Sequence, residues 1–394
     1  MDNQGSSDPA CPFCPFSDPD SNFVAEHVQY CHPENELHVE PGSNIPAAPM
    51  PIPGNQEAAV LGKGPFINQQ VSKQSDHPRD HKAIYSNPAP SANIKRLGRS
   101  ELGPYAYEKR MPSWLLRMLE KGPAATKLNT ITTDGKLFKC EVIENQTANV
   151  IPALSQLCEQ DKSVQRAFFC SAAVHHVTKM PREGGFCGYR NIQMLISYIR
   201  QSQSLGYEHF PSLPSIFQLQ DMIERAWDMG FNSEGRQETG GIKGTRKYIG
   251  TSEAQALLLS LDIQCKATSI SKTNEMTAYN NLLSHIAAYF RSACPLDTDK
   301  KVILTSLPPI YFQHQGHSLT IVGFEIRDDG SANLLVFDPF NKAPSAVLNT
   351  AGAKPKHTEP ARLLKAYRRD VNYLQKHKTF ELLQLTVPGI TPEP

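Results

Sequence analysis

Three side chains set far apart in this sequence have the chemistry of a covalent hydrolase: Cys187 in GGFCGYRNIQMLISYI, His317 in YFQHQGHSLTIVGFEI and Asp338 in NLLVFDPF. A thiolate attacks a carbonyl well only when an imidazole shares its proton and a third group orients that imidazole. Gly184 and Gly185 permit a sharp turn, and the apolar stripe Ile192, Leu195, Ile196 and Ile199 begins only after Cys187. The cysteine is therefore expected at a helix N-terminus, where unsatisfied N–H groups favour thiolate over thiol and leave a backbone donor for an oxyanion. A cysteine in front of a helix is by itself more often a buried thiol, so its partners decide its role.

His317 stands just before a strand and Asp338 ends the next one, and the point midway between them falls in the turn region closed by Gly330. An antiparallel hairpin there puts both side chains near one end of a sheet, with a bulge able to shift the register by a residue or two. Cysteine on a helix, then histidine and acid on neighbouring strands, is the papain-type plan. Gln313, uncharged and just upstream of His317, carries an amide able to donate to an oxyanion. His314, on an irregular stretch, stays open as a second candidate for the base. His175 and His176, in a run read as helical, and His285, within TAYNNLLSHIAAYF, read as structural or surface histidines.

A second set of ligand-type residues opens the chain, where CPFCPFSDPDSNFVAEHVQYCH holds Cys11-x2-Cys14, then His27, Cys31 and His32. Zinc takes four thiolate or imidazole ligands in a tetrahedron, and a short hairpin followed by a helix delivers them in two pairs. His27 and Cys31 share one helical face. Residues 8–34 therefore read as a C2HC or C2H2-type zinc finger with a structural Zn2+ on Cys11, Cys14, His27 and either Cys31 or His32. So short a segment has little core to hold it without metal.

The intervening stretch, residues 35–100, is rich in Pro, Asn, Ser and Gly, as in PGSNIPAAPMPIPGN, and reads as a disordered linker. Residues 101–135 read as a helical arm: Pro112 suits a first helical turn, Trp114, Leu115, Met118 and Leu119 make one stripe, and Gly122 can end the helix. That helix either packs on the following domain or docks a partner protein. Residues 140–390 read as one α+β domain. Helical stripes recur at Ile216, Leu219, Ile223 and Trp227 and at Leu282, Leu283, Ile286 and Phe290; strand-like runs VILTSL, SLTIVGFEI and ANLLVFD follow, with Asp328-Asp329-Gly330 as a turn between the last two.

Composition narrows the partners. Lys and Arg total 40 against 39 acids, a net charge of +1, which lacks the basic footprint of sequence-independent nucleic-acid binding. No stretch approaches the roughly 20 apolar residues of a membrane span, and the N-terminus has no basic and apolar leader. Nine cysteines, an odd number without a dense framework, fit a reducing compartment. The expectation is an intracellular protein of nucleus or cytoplasm, without membrane or nucleic-acid partners.

The segments GGFCGYRNIQM, LQDMIERAWDMGF, GTRKYIGTSEAQALLLSL, PPIYFQHQGHSLTIVGFE with LLVFDP, and RLLKAYRRDVNYLQKHKTFELLQL resemble the zinc-finger-containing ubiquitin peptidases of the ubiquitin-fold-modifier protease superfamily. The resemblance implies a papain-like cysteine protease fold, a triad of Cys187, His317 and Asp338, and Gln313 in the oxyanion hole. Proteases for the ubiquitin-fold modifier itself usually follow this aspartate with Pro-His and take their base from that histidine. Here Asp338-Pro339 is followed by Phe340, so the base falls to His317, as in the ubiquitin-directed branch. That branch implies a deubiquitinase acting on ubiquitin and polyubiquitin chains, with preference for long lysine-63-linked chains. The sequence departs from it in having one recognisable finger and a short arm. A deconjugase for the ubiquitin-fold modifier and a non-catalytic ubiquitin-binding adaptor are the rival readings.

Overall fold

The computed structural model of the chain describes residues 95–131, 137–294, 299–348 and 359–386, with three isolated positions nearer the N-terminus. The expected zinc ligands Cys11, Cys14, His27, Cys31 and His32, and nearly all of the stretch read as a linker, lie outside the described residues.

The chain enters through helix α1 (Ser113–Lys121), with Pro112 at its N-cap and Gly122, at φ +66°, at its C-cap. The hairpin β1 (Ala125–Ile131) and β2 (Leu137–Ile143) follows, so the region expected to be a helical arm continues as strand. Then come α2 (Val150–Gln160) and β3 (Val164–Phe169). Helix α3 (Cys187–Gln201) starts at the cysteine, and α4 (Ile216–Asp228) is capped by Ser215 and Gln218 in a reciprocal capping box. Next are α5 (Thr251–Leu259), β4 (Cys265–Ser271) and α6 (Ala278–Arg291). The strands β5 (Val302–Leu304), β6 (Ile310–His314), β7 (His317–Arg327) and β8 (Ala332–Phe337) come in succession, then β9 (Arg368–Arg369) and β10 (Thr379–Leu385).

One mixed eight-stranded sheet runs in the order β9-β8-β7-β6-β10-β4, and β3 joins it by pairing with β7 and β5. β7 is its axis. One flank pairs with β8; the other pairs with β6 from His317 to Ile321 and with β3 from Gly323 to Arg327. Every residue from Ser318 to Glu325 is buried, which is why this stretch reads as a continuous run rather than an alternation. Helices α3 and α6 pack on β7, and all residues of α3 from Cys187 to Ile199 are buried. The arrangement is α+β, as the sequence implies. Trp227 is a core residue, 2% exposed, with its indole against the backbone of Gly235.

Two local expectations are corrected. VILTSL is strand only over Val302–Leu304: the Thr305 N–H makes the last bond of the ladder, to the Phe169 carbonyl at 3.0 Å, and the Thr305 hydroxyl takes the same carbonyl at 2.8 Å. The run holding His175 and His176 is not helical: His176 and Val177 form a short strand against Gln146 and Thr147. Its backbone finds tertiary partners instead, with the His175 N–H on Ser197 Oγ at 2.9 Å and the Thr178 N–H on the Asn145 carbonyl at 2.8 Å. The β-branched Val174, Val177 and Thr178 lower its helix propensity as well.

Candidate active site

The approach to Cys187 is built from glycines used in different ways. Gly184 sits at φ +80°, a conformation that side-chain-bearing residues rarely adopt. A Cβ on Gly185 would lie 2.0 Å from the Tyr248 ring, and one on Gly188 would lie 2.6 Å from the Ile249 carbonyl oxygen. The start of α3 is therefore pressed against the Tyr248–Gly250 segment. Polar contacts lock it. Arg190 Nε donates to Glu183 Oε1 at 2.9 Å, Glu183 Oε2 accepts from the Met180 N–H at 2.8 Å, and Arg190 Nη1 donates to Gln193 Oε1 at 2.8 Å. Asn191 Nδ2 donates to the Cys187 carbonyl at 2.8 Å and Asn191 Oδ1 accepts from Thr320 Oγ1 at 2.6 Å, tying the helix start to β7.

His317 and Asp338 meet as a diagonal pair. The β7–β8 ladder shifts at a bulge between Leu335 and Val336 and ends with Phe337 opposite Thr320. Asp338 follows directly on that last pair, at the end of the sheet where β7 starts with His317. His317 Nε2 lies 3.0 Å from Asp338 Oδ1. The same oxygen accepts from the Phe340 N–H at 3.0 Å, while Oδ2 accepts from Arg369 Nη2 at 2.6 Å. His176 Nε2 donates to the Asp338 backbone carbonyl at 2.9 Å, with its ring stacked on Phe337. The Phe340 ring stands edge-on to His317, and Lys179 Nζ lies over the Phe340 ring, 3.5 Å from its centre.

These contacts order the charges. Burial disfavours the His317 imidazolium, yet the Asp338 carboxylate and the Cys187 thiol beside it raise its pKa to about 9. Burial likewise opposes ionisation of Asp338, and the His317 and Arg369 charges hold it well below the usual carboxylate range. For Cys187 burial alone would push the thiol up, but its hydrogen bond to His317, the charges of His317 and Lys179 and the Ser318 N–H bring it below the ordinary thiol value. With Nε2 committed to Asp338, Nδ1 is the ring nitrogen left to face sulfur. The site therefore favours a thiolate–imidazolium pair. Burial pushes the Cys158 and Cys170 thiols far up, and the Glu325 carboxylate adds to the rise at Cys158.

Gln313 lies on β6, directly opposite Ser318. Its Oε1 accepts from Ser318 Oγ at 3.2 Å and lies 3.3 Å from the Tyr311 hydroxyl. His314, the second candidate base, is turned elsewhere: its Nε2 meets the Tyr373 hydroxyl at 2.5 Å and its ring stacks on His377 at 3.7 Å, while burial pulls its pKa well down. Among the described residues no group of three or more His, Cys, Asp or Glu is arranged to hold a metal, and no helix is long and apolar enough to cross a membrane. Sequence reasoning missed Arg369, His176 and Lys179. Only the Arg368-Arg369 pair carried a signal, since two adjacent arginines on a strand face opposite ways and one must find a buried acid.

Known proteins resemble this chain. "Zinc finger-containing ubiquitin peptidase 1" of Bos taurus is 35% identical over 244 residues, covering 61% of this chain and 41% of that protein. Its Homo sapiens counterpart is 33% identical over 247 residues, with 61% and 41% covered. "Ubiquitin carboxyl-terminal hydrolase mug105" of Schizosaccharomyces pombe is 32% identical over 166 residues, 41% of this chain and 62% of that one. The chain thus spans about two fifths of the length of the ubiquitin peptidase 1 relatives. The crystal structure of UfSP from C.elegans superposes with a TM-score of 0.36 at 16% identity over 59% of this chain and 36% of that one, too loose a likeness to rest a fold on. The sequence model of "Peptidase family C78" matches residues 163–383, more than half of the chain. Those residues contain Cys187, Gln313, His317 and Asp338, and with that match the chain belongs to peptidase family C78, a family of cysteine-type peptidases.

Proposed function

We propose that this chain is a deubiquitinase, a cysteine isopeptidase that hydrolyses the bond after the C-terminal glycine of ubiquitin. The observation that carries the reading is the His317 ring, bonded to Asp338 on one side and to the Cys187 thiol on the other. The Cys187 thiolate attacks the isopeptide carbonyl carbon and the carbonyl electrons move onto oxygen. The Cys187 N–H, in the first helical turn where no intrahelical acceptor exists, and the Gln313 amide steady that oxyanion. As the tetrahedral intermediate collapses, the His317 imidazolium gives its proton to the departing lysine amine and a thioester remains. Water then attacks the thioester, His317 takes its proton, and the ubiquitin carboxylate leaves with the thiolate restored. Asp338 orients the ring throughout.

The choice of ubiquitin is supported by Phe340, which cannot serve as a base, and by the names of the relatives. Preference for long lysine-63-linked chains rests on the family resemblance alone. Residues 8–34 would form a zinc finger, with structural Zn2+ on Cys11, Cys14, His27 and Cys31 or His32, that binds ubiquitin and raises local chain concentration. An intracellular, nuclear or cytoplasmic, location goes with that role.

The test is a panel of electrophilic probes built on ubiquitin and on its relatives, followed by chains of each linkage and several lengths. An adduct with the ubiquitin probe, absent in Cys187→Ala, is expected. Adducts with the ubiquitin-fold modifier alone would transfer the assignment to a deconjugase. Labelling by no probe would leave a ubiquitin-binding adaptor.

A further inference from the structure

Behind Gln313 stand two hydroxyls that the mechanism above does not use. Tyr311 and Ser318 are buried, at 0% and 3% exposure, while Gln313 is half-buried at the edge of the site. Tyr311 and Gln313 alternate on β6 and share a face, and Ser318 sits directly opposite Gln313 on β7. The three side chains close a triangle. The Tyr311 hydroxyl lies 3.2 Å from Ser318 Oγ and 3.3 Å from Gln313 Oε1, and Ser318 Oγ lies 3.2 Å from the same Oε1. Around them, a Cβ built on Gly188, the residue after Cys187, would come 3.1 Å from the Tyr311 hydroxyl, and one on Gly250 would come 3.0 Å from Gln313 Nε2.

Which end of a glutamine amide carries oxygen is settled by its hydrogen-bond partners. With Oε1 toward the triangle, Ser318 donates to Oε1 and Tyr311 donates to Oε1 or to Ser318 Oγ, so both buried hydroxyl protons have acceptors. With the amide reversed, the –NH2 group itself donates to the hydroxyls. One hydroxyl proton then has no acceptor within the triangle, a cost comparable to a lost buried hydrogen bond. The first orientation leaves the Nε2 donors pointing away from the hydroxyls.

We propose that Ser318 and Tyr311 are positioning residues that fix the orientation of the Gln313 amide, keeping its nitrogen end available to the oxyanion. This rests on the reading of Gln313 as an oxyanion donor. The two hydroxyls act through Gln313.

A double-mutant cycle tests this with turnover of a fluorogenic amide on the ubiquitin C-terminus. Gln313→Ala is expected to lower kcat about 10²–10³-fold with KM little changed. Ser318→Ala and Tyr311→Phe should each lower kcat about tenfold and add almost nothing in the Gln313→Ala background. Ser318→Thr, which keeps the hydroxyl, should restore most of the loss. The rate of Cys187 alkylation by iodoacetamide should stay within about twofold in the Ser318 and Tyr311 variants, showing that the thiolate and the fold are intact. If Ser318→Ala and Tyr311→Phe slow turnover just as much without Gln313, the positioning role is overturned. If Gln313→Ala turns over normally, the oxyanion assignment itself fails, a result the cycle separates from the first.

Discussion

His317 is constrained from three sides, with a carboxylate on one ring nitrogen, a thiol facing the other and the Phe340 ring in edge contact. The proposed mechanism requires ionised Cys187 and protonated His317. The rate should therefore rise with pH as the depressed Cys187 thiol ionises and fall as the His317 proton is lost near about 9. Asp338→Asn removes the main charge holding that proton, leaving burial to oppose it. The alkaline limb of kcat/KM should move down by about 1–3 pH units. Arg369→Gln has the opposite sign: with the guanidinium gone, the Asp338 charge acts on His317 less opposed, and the alkaline limb moves up. The same change breaks a buried ion pair, which costs about 3–5 kcal/mol when one partner is removed. Asp338 keeps His317 and the Phe340 N–H, so urea unfolding should report the lower end of that range.

At the scale of elements, the first turn of α3 is held by what surrounds it more than by its own propensity. Gly188→Ala improves intrinsic helix propensity by up to about 1 kcal/mol. The added Cβ, 2.6 Å from a backbone carbonyl that no rotamer change can move, instead pushes α3 away from Ile249. Overpacking of this kind costs about 1–3 kcal/mol, so the clash wins. The expected outcome is a lower melting temperature together with slower probe labelling of Cys187. Glu183→Ala, which strands the buried Arg190 guanidinium, should destabilise by about 3–5 kcal/mol in urea titration and loosen the loop before the cysteine. The stripes on α4 and α6 were legible because a helix burying one face must repeat its apolar residues every three or four positions. The segment of His175 and His176 was not, because its backbone is satisfied by residues distant in sequence, and no local pattern records that.

Over the whole molecule, the residues before the peptidase match buttress the active-site wall. Leu97 and Met111 donate backbone hydrogen bonds to the Glu238 and Gly244 carbonyls, Tyr248 donates to the Leu102 carbonyl, and Glu108 Oε1 accepts from Arg246 Nε at 2.9 Å. Arg246 also lies flat on the Tyr105 ring. On α1, Leu115 and Leu119 are buried while Trp114 stays 44% exposed beside Arg182. Because Glu108 holds Arg246 two residues before Tyr248, Glu108→Ala should cost about 1.5–3 kcal/mol in stability and lower kcat on a minimal substrate. Removal of zinc by a chelator should instead weaken capture of long chains more than cleavage of that substrate, since the expected ligands lie far upstream in sequence. By itself the sequence determined the helix-borne cysteine and the hairpin that carries His317 and Asp338. Each depends on spacing along one strand or one helix. Only the tertiary structure decided which groups set the charges, because Arg369 and Lys179 reach the site from other segments, and their burial and distance are properties of the packed sheet.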